Sequence, residues 1–292
     1  MTIKPKGIIP PIVTPLDENE NVDKVALCKV VEYLIEGGVH GLFALGSTGE
    51  WYGLNTNQKR EVIETVMEAA NKRVPIYAGT GAITTKEAVH LTRMASEIGV
   101  DAVSIITPVF ITPNESELYN HYQTIAYSTD LPIILYNYPR RTGINLSVDL
   151  VAKLSQIDNI IGIKDSSGDM TLAGKFIRRT NDNFCVLAGW DTLILSTLIY
   201  GGKGAITALA NIVPKIAVKI YEEYIKGNIK EALKAQYDLA SLHLAFSLGS
   251  FPVVIKESLK LVGIDVGDTF KPIEPMTEKN KVKLKKIFKK VL

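Results

Sequence analysis

The stretch LPIILYNYPRRTGINLSVDLVAKLSQIDNIIGIKDSSGD, residues 131–169, holds one complete structural unit. LPIILYN at 131–137 is a short, continuous apolar run rich in isoleucine and leucine, which reads as a strand buried on both faces. Ser147 stands in N-cap position for a helix over 147–156, where apolar residues return at helical spacing. NIIGIK at 159–164 is a second apolar run, so the unit is strand, helix, strand. Polar residues end both runs: Tyr136 and Asn137 in the first, Lys164 in the second.

Outward from this unit the same alternation repeats. GIIPPIV at 7–13, VHGLFAL at 39–45, VPIYAG at 74–79 and DAVSIIT at 101–107 precede it, and FCVLAG at 184–189 and GAIT at 204–207 follow. Amphipathic segments at 24–36, 57–71, 85–98 and 115–128 lie between the earlier runs. Continuous apolar strands alternating with helices predict an α/β fold with a parallel sheet, and eight such units predict a (β/α)₈ TIM barrel. A doubly wound open sheet is the other arrangement compatible with the pattern. After residue 225 strand signals stop, and 230–248, 252–262 and 278–292 read as helices. The expected organisation is a barrel over 1–225 and a C-terminal helical extension over 226–292, packed on the barrel because no low-complexity linker separates them.

Composition narrows the partners. Thirty-three Lys and Arg against 31 Asp and Glu give a formal charge of +2, which offers no overall field for nucleic acid or an anionic membrane. The lysine-rich end KNKVKLKKIFKK at 279–290 reads as the solvated face of a helix. Cys28 and Cys185 form no CxxC pair, so neither a disulfide framework nor a thiolate metal site is suggested. His40, His90, His121 and His243 are scattered without metal-ligand spacing, and no metal is expected. No apolar segment follows Met1, and no uninterrupted run of apolar residues is long enough to span a bilayer, so a cytoplasmic protein is expected.

In a barrel of this kind the active site forms at the C-terminal ends of the strands, so the polar residues there carry the chemistry. An amine at the mouth of an apolar barrel is partly desolvated, which favours its neutral, nucleophilic form and makes Lys164 a candidate for carbonyl attack. The alternative is a lysine that snorkels to solvent or pairs with Asp165. The Tyr136 phenol can shuttle a proton, or merely cap the core. Gly46, Ser47 and Thr48 begin GSTGE, a turn whose N–H groups can hold a carboxylate, unless it is an ordinary glycine turn. In Arg140-Arg141-Thr142-Gly143 a guanidinium can bind a second carboxylate or a phosphate, or pair with surface acids. Gly189 in FCVLAG and Ile206 in GAIT complete the substrate-binding set.

Taken in order and at these separations, GSTGE, YNYPRRTG at 136–143 and GIKDSSGD at 162–169 resemble the dihydrodipicolinate synthase and N-acetylneuraminate lyase family. The resemblance covers nearly the whole chain and extends to GIIPPIVTP, to AGWDTLILSTLIYGGKGAITALANIVP at 188–214 and to FPVVIKES at 251–258. It implies a cytoplasmic homotetramer that takes a small 2-keto acid and uses no metal or organic cofactor, its reactive group being a covalent imine between Lys164 and pyruvate. Ser47 and Thr48 would hold the pyruvate carboxylate and Tyr136 would relay protons.

Departures from the family pattern bear on the substrate. Phe110 stands where the synthases and sialic-acid lyases carry a tyrosine that, in the synthases, a neighbouring subunit lends to the proton relay. Arg141 matches the arginine with which the synthases bind their second substrate. Asp191 matches a sugar-hydroxyl ligand of the sialic-acid lyases, but Thr192 and Ala208 replace its polar companions. LYNYP, AGWDTLILSTLIYGGKGAI and FPVVIKE look most like the 2-keto-3-deoxy sugar acid aldolases. The expectation is therefore reversible cleavage of a 2-keto-3-deoxy or 4-hydroxy-2-keto acid to pyruvate and an aldehyde. Its alternatives are 4-hydroxy-tetrahydrodipicolinate synthase, which joins pyruvate to aspartate semialdehyde, a 2-keto-3-deoxy acid dehydratase, and a non-catalytic keto-acid binding protein.

Overall fold

A computed structural model describes residues 3–289 of the chain. Its eight strands are β1 (Gly7–Ile8), β2 (Leu42–Ala44), β3 (Ile76–Gly79), β4 (Ala102–Ile106), β5 (Ile133–Asn137), β6 (Ile160–Asp165), β7 (Cys185–Ala188) and β8 (Gly204–Ala205). Every neighbouring pair is parallel, in the order β1-β8-β7-β6-β5-β4-β3-β2. The remaining seam, between β1 and β2, is closed by the chain just beyond β1. Ile12 N–H donates to Phe43 O at 2.9 Å and Phe43 N–H to Pro10 O at 3.0 Å. This closure excludes the open sheet. The run 7–13 continues as extended chain, but Pro10 and Pro11 have no N–H to donate, so regular ladder bonding ends at Ile8.

The helices that separate the strands are held at their N-termini by the residues that the sequence supplies there. Asp23, Asn55, Thr84, Asn114, Ser147 and Asp169 each accept a first-turn N–H, and Asn55 and Asn114 form reciprocal boxes with Gln58 and Glu117. Their apolar faces join the outward-facing strand residues in one large core.

Inside the barrel Ile9, Phe43, Tyr77, Ala102, Ile134, Ile161, Leu187 and Ile206 pack as a separate apolar layer, one residue from each strand or its extension. Tyr136 lies two residues beyond Ile134 and so faces the same way. Lys164 reaches that face by a different route. The β5–β6 register slips after Ile133, which pairs with Ile160, whereas Ile134 pairs with Gly162. The extra residue reverses the alternation: Ile161 faces the interior, Ile163 joins the outer core, and Lys164 returns to the interior. Gly162 allows this because a Cβ there would lie 2.5 Å from Cys185 O.

After the helix Pro214–Ile225, which packs against the next helix, the chain is helical, with Ile229–Leu242, a 3₁₀ stretch His243–Leu248, then Phe251–Leu261 and Glu278–Phe288. Nothing in the residues marks the tightening after Leu242, where the sequence predicts one continuous helix over 230–248. On the last helix Leu284 and Phe288 are buried while Lys283, Lys285 and Lys286 are exposed, as expected for a solvated face; residue 290 lies outside the described residues. No single helix among the described residues is long and apolar enough to cross a membrane.

Candidate active site

A cavity of about 600 Å³ opens over the C-terminal ends of the strands. Lys164, Tyr136, Ser47, Thr48, Arg141, Gly189, Asp191 and Ile206 all line it, so the structure brings together residues drawn from most of the chain. Two candidates are not among its lining. Gly46 lies under the turn, where a Cβ would come within 2.9 Å of the Phe43 ring, so its smallness serves packing. Phe110 is 90% exposed with φ 78, on the loop after β4 and outside the cavity. That loop carries it outward, away from its own chain's cavity and toward the surface from which a residue could be lent to a neighbouring subunit.

Lys164 is 4% exposed. Its Nζ lies 4.1 Å from the centre of the Tyr136 ring and 5.2 Å from that of Phe43, and no carboxylate pairs with it among the described residues. Asp165, the alternative partner, is engaged elsewhere: it accepts from Asn137 Nδ2 at 2.9 Å and from Ser167 Oγ at 2.7 Å. Burial pushes the Lys164 amine down to about 7, with the negative Asp191 acting against the shift. A large fraction of the side chain is therefore neutral near pH 7 and able to attack a carbonyl.

Tyr136 is paired with Lys164 across β5 and β6 and stacks on Tyr138, ring centres 5.9 Å apart. Burial raises its phenol well above the usual range, and the Ser47 and Ser166 hydroxyls work in the opposite direction. The phenol thus stays protonated in the resting site and can give a proton up only to a strongly basic, developing oxyanion or amine.

The turn after β2 offers the complement. Gly49 N–H donates to Gly46 O at 3.0 Å and Glu50 N–H to Ser47 O at 3.3 Å, while the N–H groups of Ser47 and Thr48 have no protein acceptor among the described residues. Two free donors beside a half-neutral amine suit a carboxylate. Behind the turn, Glu50 forms a buried ion pair with Lys256, Oε1 to Nζ 2.8 Å.

Apart from Arg140, which stands beside Arg141 in the RRTG segment expected to supply a guanidinium, the outer wall comes from residues that sequence reasoning missed. Ser166, Tyr138, Arg140 and Trp190 follow strand ends, whereas His243, Phe246 and Phe251 belong to the C-terminal helices. Trp190 Nε1 donates to Ser166 O at 2.9 Å, and Arg140 lies over the indole at 5.4 Å. Arg141 sits 6.0 Å from both Tyr138 and Phe251, and neither arginine pairs with an acid among the described residues. The surface pairing held open for Arg141 is thus not formed. Asp191 accepts from Leu209 N at 2.8 Å, and burial pushes its carboxyl up to about 6. His243 Nδ1 lies 3.9 Å from Asp191 Oδ2 without a hydrogen-bond partner. YNYPRRTG, GIKDSSGD and AGWDTL carried the signal for Tyr138, Arg140, Ser166 and Trp190, whereas in the C-terminal helices only FPVVIKES, which begins at Phe251, did so. No group of three His, Cys, Asp or Glu side chains suited to a metal occurs among the described residues.

A family model described as the dihydrodipicolinate synthetase family matches residues 4–291. The chain belongs to the dihydrodipicolinate synthetase family. It is 38% identical over 287 residues to the 4-hydroxy-tetrahydrodipicolinate synthase of Methanothrix thermoacetophila, covering 98% of this chain and 97% of that one. Among solved structures it is similar to a dihydrodipicolinate synthase of Bacillus anthracis, with a TM-score of 0.96 and 34% identity over the whole of both chains. It also matches YagE, a prophage protein of Escherichia coli from this family solved in complex with pyruvate, with a TM-score of 0.95 and 32% identity over 98% of each chain. Members of the dihydrodipicolinate synthetase family are lyases that form a lysine Schiff base with pyruvate, and this chain is such an enzyme. The relatives bear the synthase name, so they do not bear out the sugar acid aldolase branch toward which AGWDTLILSTLIYGGKGAI leaned.

Proposed function

We propose that this enzyme condenses pyruvate with aspartate semialdehyde through an imine on Lys164. The observation that carries the imine is the Lys164 amine itself: buried, unpaired among the described residues, and shifted to about 7 at the floor of the cavity. The N–H groups of Ser47 and Thr48 hold the pyruvate carboxylate. The neutral amine adds to the ketone, Tyr136 passes protons as water leaves, and the resulting iminium draws electrons from the methyl carbon. Loss of a proton gives an enamine, whose carbon attacks the aldehyde. Arg141, free of acidic partners and held against aromatic rings, binds the carboxylate of that aldehyde. The names of the relatives favour this synthase over the cleavage reaction suggested by the sequence motifs.

One observation supports the second reading, cleavage of a 2-keto-3-deoxy or 4-hydroxy-2-keto acid. Asp191 and the unpartnered Nδ1 of His243 are groups that bind hydroxyls. Assaying both reactions on one preparation distinguishes the two: the expected result is faster turnover of aspartate semialdehyde, and faster release of pyruvate from a keto sugar acid reverses the ranking. Borohydride added with pyruvate should attach it to Lys164, read by peptide mass mapping; attachment elsewhere removes Lys164 from the mechanism.

The protein is further proposed to be a cytoplasmic homotetramer without a resident cofactor. Phe110 and Ile111, 90% and 65% exposed, and Ile199 and Tyr200, 56% and 57% exposed, are apolar surfaces that assembly would cover. Sedimentation should give the mass of four chains; a monomer at assay concentration rejects it.

A further inference from the structure

The buried pair Glu50–Lys256 is a charged device that the imine chemistry does not use. Glu50 is fully buried and Lys256 is 1% exposed. Besides their 2.8 Å contact, Glu50 Oε2 accepts from Phe270 N at 3.0 Å and Lys256 Nζ donates to Asp268 O at 2.6 Å. The pair thus ties together three separate segments: the turn 46–50, the helix Phe251–Leu261 and the irregular chain that follows it.

Stability alone gives little reason for such a pair, because removing two charges from water offsets most of their attraction, and an apolar replacement is often as stable. Geometry gives a better one. Leu45 and Glu50 bracket the turn with φ of 58 and 52, a left-handed conformation that side-chain-bearing residues hold only when their surroundings impose it. The Glu50 carboxylate is held by Lys256 and Phe270, and beside it Thr14 Oγ1 donates to Gly49 O at 2.7 Å. Glu50 follows Thr48 by two residues, and Lys256 shares its helix with Phe251, so the pair joins the anion-binding turn to the aromatic wall of the same cavity.

We propose that Glu50 and Lys256 are positioning residues that hold the Ser47 and Thr48 donors in register with Lys164, and so set how well the site recognises the carboxylate of a 2-keto acid. The inference rests on the imine at Lys164. Its test compares borohydride trapping at Lys164 by pyruvate and by acetone, a ketone that has no carboxylate and does not need the turn. In Glu50→Gln and Lys256→Met the preference for pyruvate over acetone should fall by roughly 10- to 100-fold, the scale of an ångström's misplacement. The paired apolar replacement Glu50→Leu with Lys256→Met leaves no unpaired charge, so it should melt above Lys256→Met alone and still show the lost preference, which separates positioning from stability. A folded double variant that keeps the wild-type preference overturns the proposal, as does an equal fall in trapping by both ketones. Failure of the wild-type protein to trap pyruvate at Lys164 instead sinks the imine itself.

Discussion

Two lysines of this enzyme are almost equally hidden and chemically opposite. Lys256, in the seam between the turn 46–50 and the C-terminal helices, has Glu50 Oε1 at 2.8 Å and Asp268 O at 2.6 Å. Lys164, at the floor of the cavity, has two ring faces and no paired acid among the described residues. Burial lowers both amines, but at Lys256 the Glu50 carboxylate pulls back, whereas at Lys164 only the more distant Asp191 does. Burial therefore does not by itself make a lysine reactive; burial without a partner does.

The largest effect expected from breaking this contrast is at Lys164. Lys164→Ala should abolish pyruvate trapping and reduce turnover to background, while Lys256→Met should leave a trappable Lys164; a Lys164→Ala enzyme of normal turnover would erase the distinction. Tyr136→Phe should come next, lowering kcat by roughly 10²- to 10⁴-fold, since a positioned acid-base group contributes that much. Steady-state assays with the same pyruvate range measure it.

Stability should move in opposite directions at the two lysines. Lys256→Met strands the Glu50 carboxylate in the core and should cost about 3 to 5 kcal/mol, read from denaturant midpoints. Lys164→Met should instead stabilise the protein at neutral pH, by on the order of a few kcal/mol, because it removes a desolvated amine that the more distant Asp191 offsets only in part. The sign follows from proton binding. With a folded value near 7 against 10.5 unfolded, the unfolded chain binds more protons between those limits, so Lys164 destabilises the fold fully below about 7 and progressively less toward 10.5. The stabilisation by Lys164→Met should accordingly shrink as pH rises through that window.

The smallest expected effect sharpens the same point. The initial rate of pyruvate trapping should climb up to about tenfold per pH unit below 7 and level off above it, as the neutral amine fills. A plateau reached only near 10 would mean that Lys164 is solvated like a surface lysine.

Much of this was legible in the sequence because it is local. Apolar runs alternating with capped amphipathic segments specify strand, helix and connection within some thirty residues. The strand-helix repeat, the strand-end positions of Tyr136 and Lys164, and the glycine turn at 46–50 all follow from neighbours in the chain, whereas closure into a barrel rests on the bonds of Phe43 to the remote Pro10 and Ile12. What only tertiary structure decided depends on segments remote from one another. The slipped register at Gly162, needed to turn Lys164 inward, reflects the close passage of Cys185 O from the next strand. His243, one of four histidines scattered along the sequence without metal-ligand spacing, lines the cavity from the 3₁₀ stretch that follows the helix Ile229–Leu242. Phe110, a residue of the site by motif, is carried outward by its loop. Residue type and spacing tell which groups can react; desolvation and pairing, which fix whether an amine is a nucleophile or half of an ion pair, are set by whichever distant parts of the chain surround it.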